Sequence, residues 1–281
     1  MKIALIGSNG QLGKTVNDVF QGSDLDLFDY PEIDITKPGN LKKAFCDKKY
    51  EFIINCSAYT NVNNSEIEPD LAFLVNAIGV RNLSQISQEM GACLIHVSTD
   101  YVFDGVKNLP YIETDITMPL NVYGVSKLAG ENFVQAICDE FCILRTSGLY
   151  GIYPNLTKKY NFAETMLQLS SQKDELKVVC DEILTPTFAL DLARQIKKII
   201  YSKPESGIYH ATNNGECSWF EFAKEIFNIK GIDIKLIPVK AKEFSANIKR
   251  PAYSVLENKH LNDLKLNVMR DWKDALTDYL S

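Results

Sequence analysis

Residues 2–13 read Lys2-Ile3-Ala4-Leu5-Ile6-Gly7-Ser8-Asn9-Gly10-Gln11-Leu12-Gly13. A short apolar run breaks at Gly7 and passes through spaced glycines into a stretch with helical rhythm, which reads as strand, tight turn and helix. Glycines here permit the turn, let the backbone approach a pyrophosphate and allow close packing of helix on strand, while the helix N-terminus faces the negative charge. The spacing is G-x-x-G-x-x-G, where G-x-G-x-x-G is commoner. Such a turn alone is a weak signal. Its place directly after the first strand of an alternating pattern makes Gly7, Asn9, Gly10, Gln11 and Leu12 candidate contacts of a dinucleotide.

Outward from this turn, short apolar runs alternate with helix-like stretches. Strands are expected at 25–28, 51–55, 92–97 and 141–145, and helical rhythm at 40–48, 70–90 and 120–140, with Gly91 breaking the second of these. Strands alternating with helices imply right-handed crossovers and a parallel, doubly wound sheet. The fold class is therefore α/β and Rossmann-like. Beyond residue 150 the texture changes. A polar and aromatic loop over 151–161 precedes a helix at 162–171, a strand at 176–180, a helix at 190–201, a short strand at 207–210 and a helix from 218, with Ser218 as its cap. This divides the chain into a dinucleotide-binding domain, residues 1–150, and a smaller C-terminal substrate-binding lobe, 151–281, with later segments returning to the first domain.

The net charge of −6 argues against nonspecific nucleic-acid binding, which needs a basic face. An anionic small ligand is compatible with it, because helix N-termini and a few arginines act locally. Seven cysteines sit mostly in apolar stretches, with no CxxC pair and no cysteine–histidine cluster of metal spacing, so buried thiols in a reducing compartment are expected, and no metal. No apolar run reaches membrane-spanning length, and the N-terminus carries no signal-peptide pattern. A cytoplasmic protein with no membrane partner, monomeric or homodimeric, is the expectation.

Asp29 closes the second strand at about the distance expected of a carboxylate on an adenosine ribose. It reads equally as an ordinary loop aspartate. No arginine follows it closely to hold a 2′-phosphate, which favours NADH over NADPH. Asp34 and Ile35 are placed to flank the adenine. Downstream, Tyr123 and Lys127 share one helix face at i and i+4. By itself Tyr-x-x-x-Lys reads as a solvated pair. Thr99, however, lies just past the carboxyl end of an expected strand, where ligands of open parallel sheets collect. With a glycine turn upstream, the three side chains fit a reduction: hydride delivery leaves an alkoxide, tyrosine protonates it, and a nearby ammonium lowers the tyrosine pKa. Asp100 reads as a turn-forming residue or as part of the site, and Arg250, before Pro251, as a phosphate ligand or a solvated charge. His96 reads as core and Trp219 as helix packing.

These residues resemble an extended short-chain dehydrogenase/reductase, specifically the dTDP-4-dehydrorhamnose reductase family. The matching stretches are Gly7–Gly13, 53–60 (IINCSAYT), Val75-Asn76-Ala77, 98–105 (STDYVFDG), 123–131 (YGVSKLAGE), 145–151 (RTSGLYG), Thr185-Pro186-Thr187, 207–210 before Ser218-Trp219, and 250–256 (RPAYSVL). The resemblance implies that Tyr123 donates the proton, Lys127 holds the nicotinamide ribose and tunes Tyr123, and Thr99 hydrogen-bonds the substrate carbonyl. It implies that Val62, Asp100 and Tyr101 line a sugar pocket and that Ser57, Ala58 and Tyr59 border an NAD(H) or NADP(H) cofactor. The implied reaction is reduction of the C4 keto group of a nucleotide-activated 6-deoxyhexose, the nucleotide sugar being the small-molecule partner. Family members commonly carry tryptophan at the position of Gly148 and glutamine at that of Glu182, and the loop 152–160 is longer here than usual.

Two other readings sit on the same resemblance. A nucleotide-sugar epimerase would recycle its bound cofactor. A non-catalytic subunit, similar to the regulatory subunit of methionine adenosyltransferase, would act by association. The intact Thr99, Tyr123 and Lys127 set argues for chemistry.

Overall fold

Strand β1 (Lys2–Ile6) carries four consecutive buried apolar residues, which a strand covered on both faces requires. It runs into helix α1 (Gln11–Val19) through the glycine turn. There follow β2 (Asp24–Phe28), α2 (Pro38–Phe45), β3 (Phe52–Asn55), α3 (Val62–Ile67), α4 (Pro69–Phe73), a π-helical turn (Leu74–Gly79), α5 (Val80–Met90) and β4 (Cys93–Thr99). After a 3-10 turn (Asp100–Val102) come α6 (Val122–Ile137), β5 (Phe141–Thr146) and β6 (Leu149–Tyr150). The remainder comprises α7 (Phe162–Ser170), β7 (Glu175–Val179), β8 (Ile183–Leu184), β9 (Thr187–Phe188), α8 (Ala189–Ser202), β10 (Gly207–His210), β11 (Cys217–Ser218), α9 (Trp219–Lys230), β12 (Lys235–Val239), α10 (Ala241–Phe244), α11 (Lys259–Asp263) and α12 (Trp272–Leu280). This computed structural model describes residues 1–154, 160–244 and 248–281. The expected loop over 151–161 thus lies partly outside the described residues.

The main sheet has the order β10-β5-β4-β3-β1-β2, and every neighbouring pair is parallel. The chain turns to one side of β1 for β2 and to the other for β3. That reversal opens a crevice at the carboxyl ends of β1 and β3, where ligands of open parallel sheets bind. Side chains alternate across the pleat. Ile3, Leu5 and Ile95 pack with Val16 of α1 and Leu192 and Ile196 of α8. Ala4, Ile6, Ile53 and Leu94 pack with Leu83 of α5 and Val134 of α6 on the opposite face. A separate apolar cluster built on Phe222, Met166, Leu176 and Trp272 joins α7, α9 and α12 to the parallel pair β7–β12.

The strand and helix expectations of the first half hold within a few residues. One helix expected over 70–90 is three segments, because Pro69 restarts the helix and the π turn inserts an extra residue before α5. Gly91 ends α5 in the left-handed conformation at φ 64°, as a C-terminal glycine should. Ser218 caps α9 in a reciprocal capping box with Glu221. Strand β12 and helices α3, α10, α11 and α12 are not among the expected elements.

Candidate active site

The glycine turn is a cradle without room for side chains. A Cβ on Gly13 would lie 2.0 Å from the Gly7 carbonyl oxygen, and one on Gly7, at φ +79°, 2.7 Å from the Ser57 backbone nitrogen. Gly10 caps α1 without any side-chain hydrogen bond, so the first amides of the helix are open to an anion. Asp29, at the end of β2, accepts the Asn9 amide at 2.5 Å and the Tyr30 amide at 2.7 Å, which locks the turn against the neighbouring strand. Asp34 holds the Thr36 hydroxyl at 2.6 Å, and Ile35 seals against Gly79. Both Asp34 and Ile35, with Asp29, line a cleft of about 520 Å³ that runs from this turn to the end of β4.

At the far end of that cleft, Thr99 closes β4 and begins the 3-10 turn, accepting the Tyr101 amide at 3.2 Å. Asn121 caps α6 by accepting the Gly124 amide at 2.9 Å. Gly124 lets α6 press on the turn: a Cβ there would sit 2.2 Å from the Tyr101 carbonyl oxygen. This approach brings the Tyr123 phenol beside the Thr99 hydroxyl in one cleft, and the rings of Tyr101 and Tyr123 meet edge to face at 5.8 Å. One turn further along α6, Lys127 is buried and donates to the Val97 carbonyl at 2.7 Å. Behind it, Glu131 forms a buried bidentate pair with Arg145 (2.7 Å at the shortest) and accepts the Ser98 hydroxyl at 2.5 Å, tying α6 to β4 and β5.

The electrostatics differ from the expectation that Lys127 lowers the tyrosine pKa. Burial pushes the Tyr123 phenol up to about 12, with Thr99 pulling down and the Asp100 charge pushing up. The Lys127 charge is spent on the Val97 carbonyl and on Glu131. Burial lowers Lys127 to about 8 despite Glu131. Asp100 is itself buried. It accepts the Ser147 hydroxyl at 2.9 Å and the Thr99 hydroxyl at 3.0 Å; burial raises it to about 6 although these two hydroxyls and the nearby Ser254 pull it down.

The third wall comes from the C-terminal half. Glu182, Leu184, Trp219 and Ser254 line the cleft beside Tyr101, Gly148 and Val62. Gly148 adopts φ +52°, and a Cβ there would lie 2.6 Å from Leu184 Cδ1. Arg250 donates to Asn63 at 3.1 Å, and its charge reaches both Tyr101 and Glu182.

All of residues 1–281 match the family described as the RmlD substrate binding domain. The chain belongs to the dTDP-4-dehydrorhamnose reductase family. It is 35% identical over 281 residues to the spore coat polysaccharide biosynthesis protein SpsK of Bacillus subtilis, covering 99% of this chain and 96% of that one. It is 34% identical over 288 residues to the dTDP-4-dehydrorhamnose reductase of Escherichia coli, covering 97% and 95%. The crystal structure of the Bacillus anthracis dTDP-4-dehydrorhamnose reductase in complex with NADP superposes with a TM-score of 0.94 at 40% identity, covering 99% of each chain.

Within this reductase family scaffold, Gly7, Gly10, Gln11, Leu12, Ser57, Ala58 and Val62 line the cleft as the sequence places them, together with Thr99, Asp100, Tyr101, Tyr123 and Lys127. Asn9 instead turns its amide to Asp29, and the Tyr59 hydroxyl leaves the cleft for Glu68 at 2.8 Å. The backbone of Tyr59 is held in both directions by the Asn76 side chain, at 2.8 and 3.0 Å, and Asn76 also donates to Ser126 on α6. His96 is core, with Nδ1 3.1 Å from Asn55 Nδ2. Trp219, expected to pack a helix, both packs against Phe162 in a tilted contact at 4.5 Å and lines the cleft. Glu182 and Ser254 carried no local signal of a site. Among the described residues, no cluster of three or more histidine, cysteine or acidic side chains is placed to hold a metal, and no helix is long and apolar enough to cross a membrane.

Proposed function

We propose that the protein reduces the C4 keto group of a nucleotide-activated 6-deoxyhexose with NAD(P)H, the reaction that yields dTDP-L-rhamnose in its family. The observation that carries this reading is the meeting of Thr99, Tyr123 and Lys127 at the carboxyl end of β4, in the same cleft as the glycine cradle. We further propose that residues 1–150 form the dinucleotide-binding domain and 151–281 the substrate lobe, and that the enzyme works in the cytoplasm, where its seven free thiols stay reduced.

The residues present fit a dinucleotide. The cradle excludes side chains where a pyrophosphate needs the backbone, and Gln11 Oε1 and Thr146 Oγ1, both buried in residues lining the cleft, have no protein partner. Gly7, Gly10, Gln11 and Leu12 would hold the pyrophosphate, Asp29 the adenosine ribose, Asp34 and Ile35 the adenine, and Lys127 the nicotinamide ribose. A bound nicotinamide supplies the hydride. Thr99 orients the substrate carbonyl by turning its hydroxyl from Asp100, to which it donates at 3.0 Å, to the carbonyl oxygen, and Tyr123 gives its proton to that oxygen as negative charge develops there. With a pKa near 12 the phenol is fully protonated at neutral pH. An alkoxide is the stronger base, so the transfer runs downhill. Lys127, still largely charged at neutral pH, would hold the nicotinamide ribose one helical turn from Tyr123. The Asp29 carboxylate repels a 2′-phosphate, so NADH is the favoured donor.

The test follows NADH and NADPH oxidation spectrophotometrically against a panel of 4-keto nucleotide sugars. Stoichiometric coenzyme consumption is expected. An epimerase would convert the sugar without net consumption, and a non-catalytic subunit would show no turnover on any member of the panel.

A further inference from the structure

We propose that Glu182 is a specificity-determining residue whose carboxylate accepts a hydrogen bond from an unreacted hydroxyl of the substrate's hexose ring. The assignment rests on the nucleotide-sugar reading of the same cleft. Three segments distant in sequence converge on this side chain. Antiparallel pairing of β8 with β11 sets Ser218 opposite Ile183, so Trp219 emerges next to Glu182, with its indole close enough to favour the charged carboxylate. The Ile183 amide donates to the Ala252 carbonyl and the Ser254 amide to the Ile183 carbonyl, each at 2.8 Å, which draws the chain after Arg250 onto the same short strand.

The convergence fixes where Glu182 stands relative to a bound substrate. The reacting carbonyl must lie at Thr99 and Tyr123. The guanidinium of Arg250 attracts the anionic end. Tyr101, whose ring abuts Tyr123 at 5.8 Å, lines the same cleft as Glu182, so Glu182 borders the space beside the reacting groups. The hexose ring occupies that space. Beside Glu182, Gly148 contributes no side chain, and Leu184 packs against it with an apolar surface that accepts no hydrogen bond.

An indole has one N–H, whereas a carboxylate offers about four acceptor positions, so Trp219 leaves Glu182 with acceptor capacity facing the cleft. Burial raises the Glu182 pKa, Asp181 adds to the rise and Arg250 opposes it, which marks a poorly solvated acceptor. A ligand lacking the donor would leave that acceptor unpaired, and sites built on a buried hydrogen bond reject such analogues strongly.

The experiment titrates dTDP-6-deoxyglucose, its 2-deoxy and 3-deoxy analogues and dTDP alone into the protein by calorimetry, with NADH present. The wild type should prefer the hydroxylated sugar over one of the two analogues by on the order of 10- to 100-fold, the range of one net hydrogen bond to a charged group. Glu182→Leu should abolish that preference and leave dTDP affinity unchanged. Glu182→Gln keeps one carbonyl acceptor and the local packing, so it should retain a reduced preference and serves should the leucine variant not fold. An undiminished preference in both variants, or an effect on dTDP equal to that on the sugar, overturns the assignment and leaves the reductase reading standing. A wild type that binds no nucleotide sugar overturns both.

Discussion

The Lys127 ammonium donates to the Val97 carbonyl at 2.7 Å, one helical turn from Tyr123. Helix α6 is therefore pinned to the strand that carries Thr99 by a side chain that also lines the cleft. Burial weakens the hold of Lys127 on its proton and strengthens that of Tyr123, bringing them to about 8 and about 12.

Tyr123→Phe is expected to lower kcat by about 10²- to 10⁴-fold, the usual contribution of a positioned acid. Coenzyme affinity should stay as in the wild type, because the ring and its packing on Tyr101 remain. Steady-state kinetics and coenzyme titration of the variant check this. Unchanged turnover would refute the proton-donor role.

Lys127 is charged below about pH 8 and neutral above it. Coenzyme affinity should therefore weaken as the pH rises through that value, well before Tyr123 titrates. Lys127→Met should bind coenzyme weakly at every pH and lose this dependence. Fluorescence titration between pH 6 and 10 (roughly the span over which such a lysine changes charge) makes the comparison; an unaltered profile in the variant would count against the ribose contact.

Asp100 ties folding stability to pH. Its folded pKa of about 6 lies above the ordinary 3.8, so between these values the folded state binds more protons than the unfolded state and stability falls as pH rises. The cost, on the order of 3 kcal/mol at 1.36 kcal/mol per pKa unit, is complete above pH 6 and absent below 3.8. Asp100→Asn should raise Tm at pH 7 and leave it nearly unchanged near the acid end of that window, while slowing turnover through Thr99. An equal Tm shift at both pH values would show that charge burial is not the cause.

Gly148→Ala should destabilise the protein by about 1–3 kcal/mol, since it adds a Cβ at positive φ and at 2.6 Å from Leu184 Cδ1. Leu184→Ala in the same chain should recover the part owed to the contact and leave the backbone strain. Urea denaturation of the single and double variants separates the two; strictly additive effects would exclude direct contact.

What the chain spelled out by itself is local. The run Lys2–Ile6 followed by Gly7, Gly10 and Gly13 announces strand, turn and helix because periodicity and glycine's conformational range act on near neighbours. The i, i+4 spacing of Tyr123 and Lys127 places them on one helix face for the same reason. Only the tertiary structure decided which charges those groups feel: the proton affinities of Tyr123, Lys127 and Asp100 follow from burial, and burial depends on β4, β5 and α6 closing together. It alone brought Glu182, Trp219 and Ser254 to one wall, through the pairing of two-residue strands too short for any pattern to reveal. Backbone geometry is encoded in adjacent residues, whereas desolvation and convergence arise from packing between segments far apart in the chain.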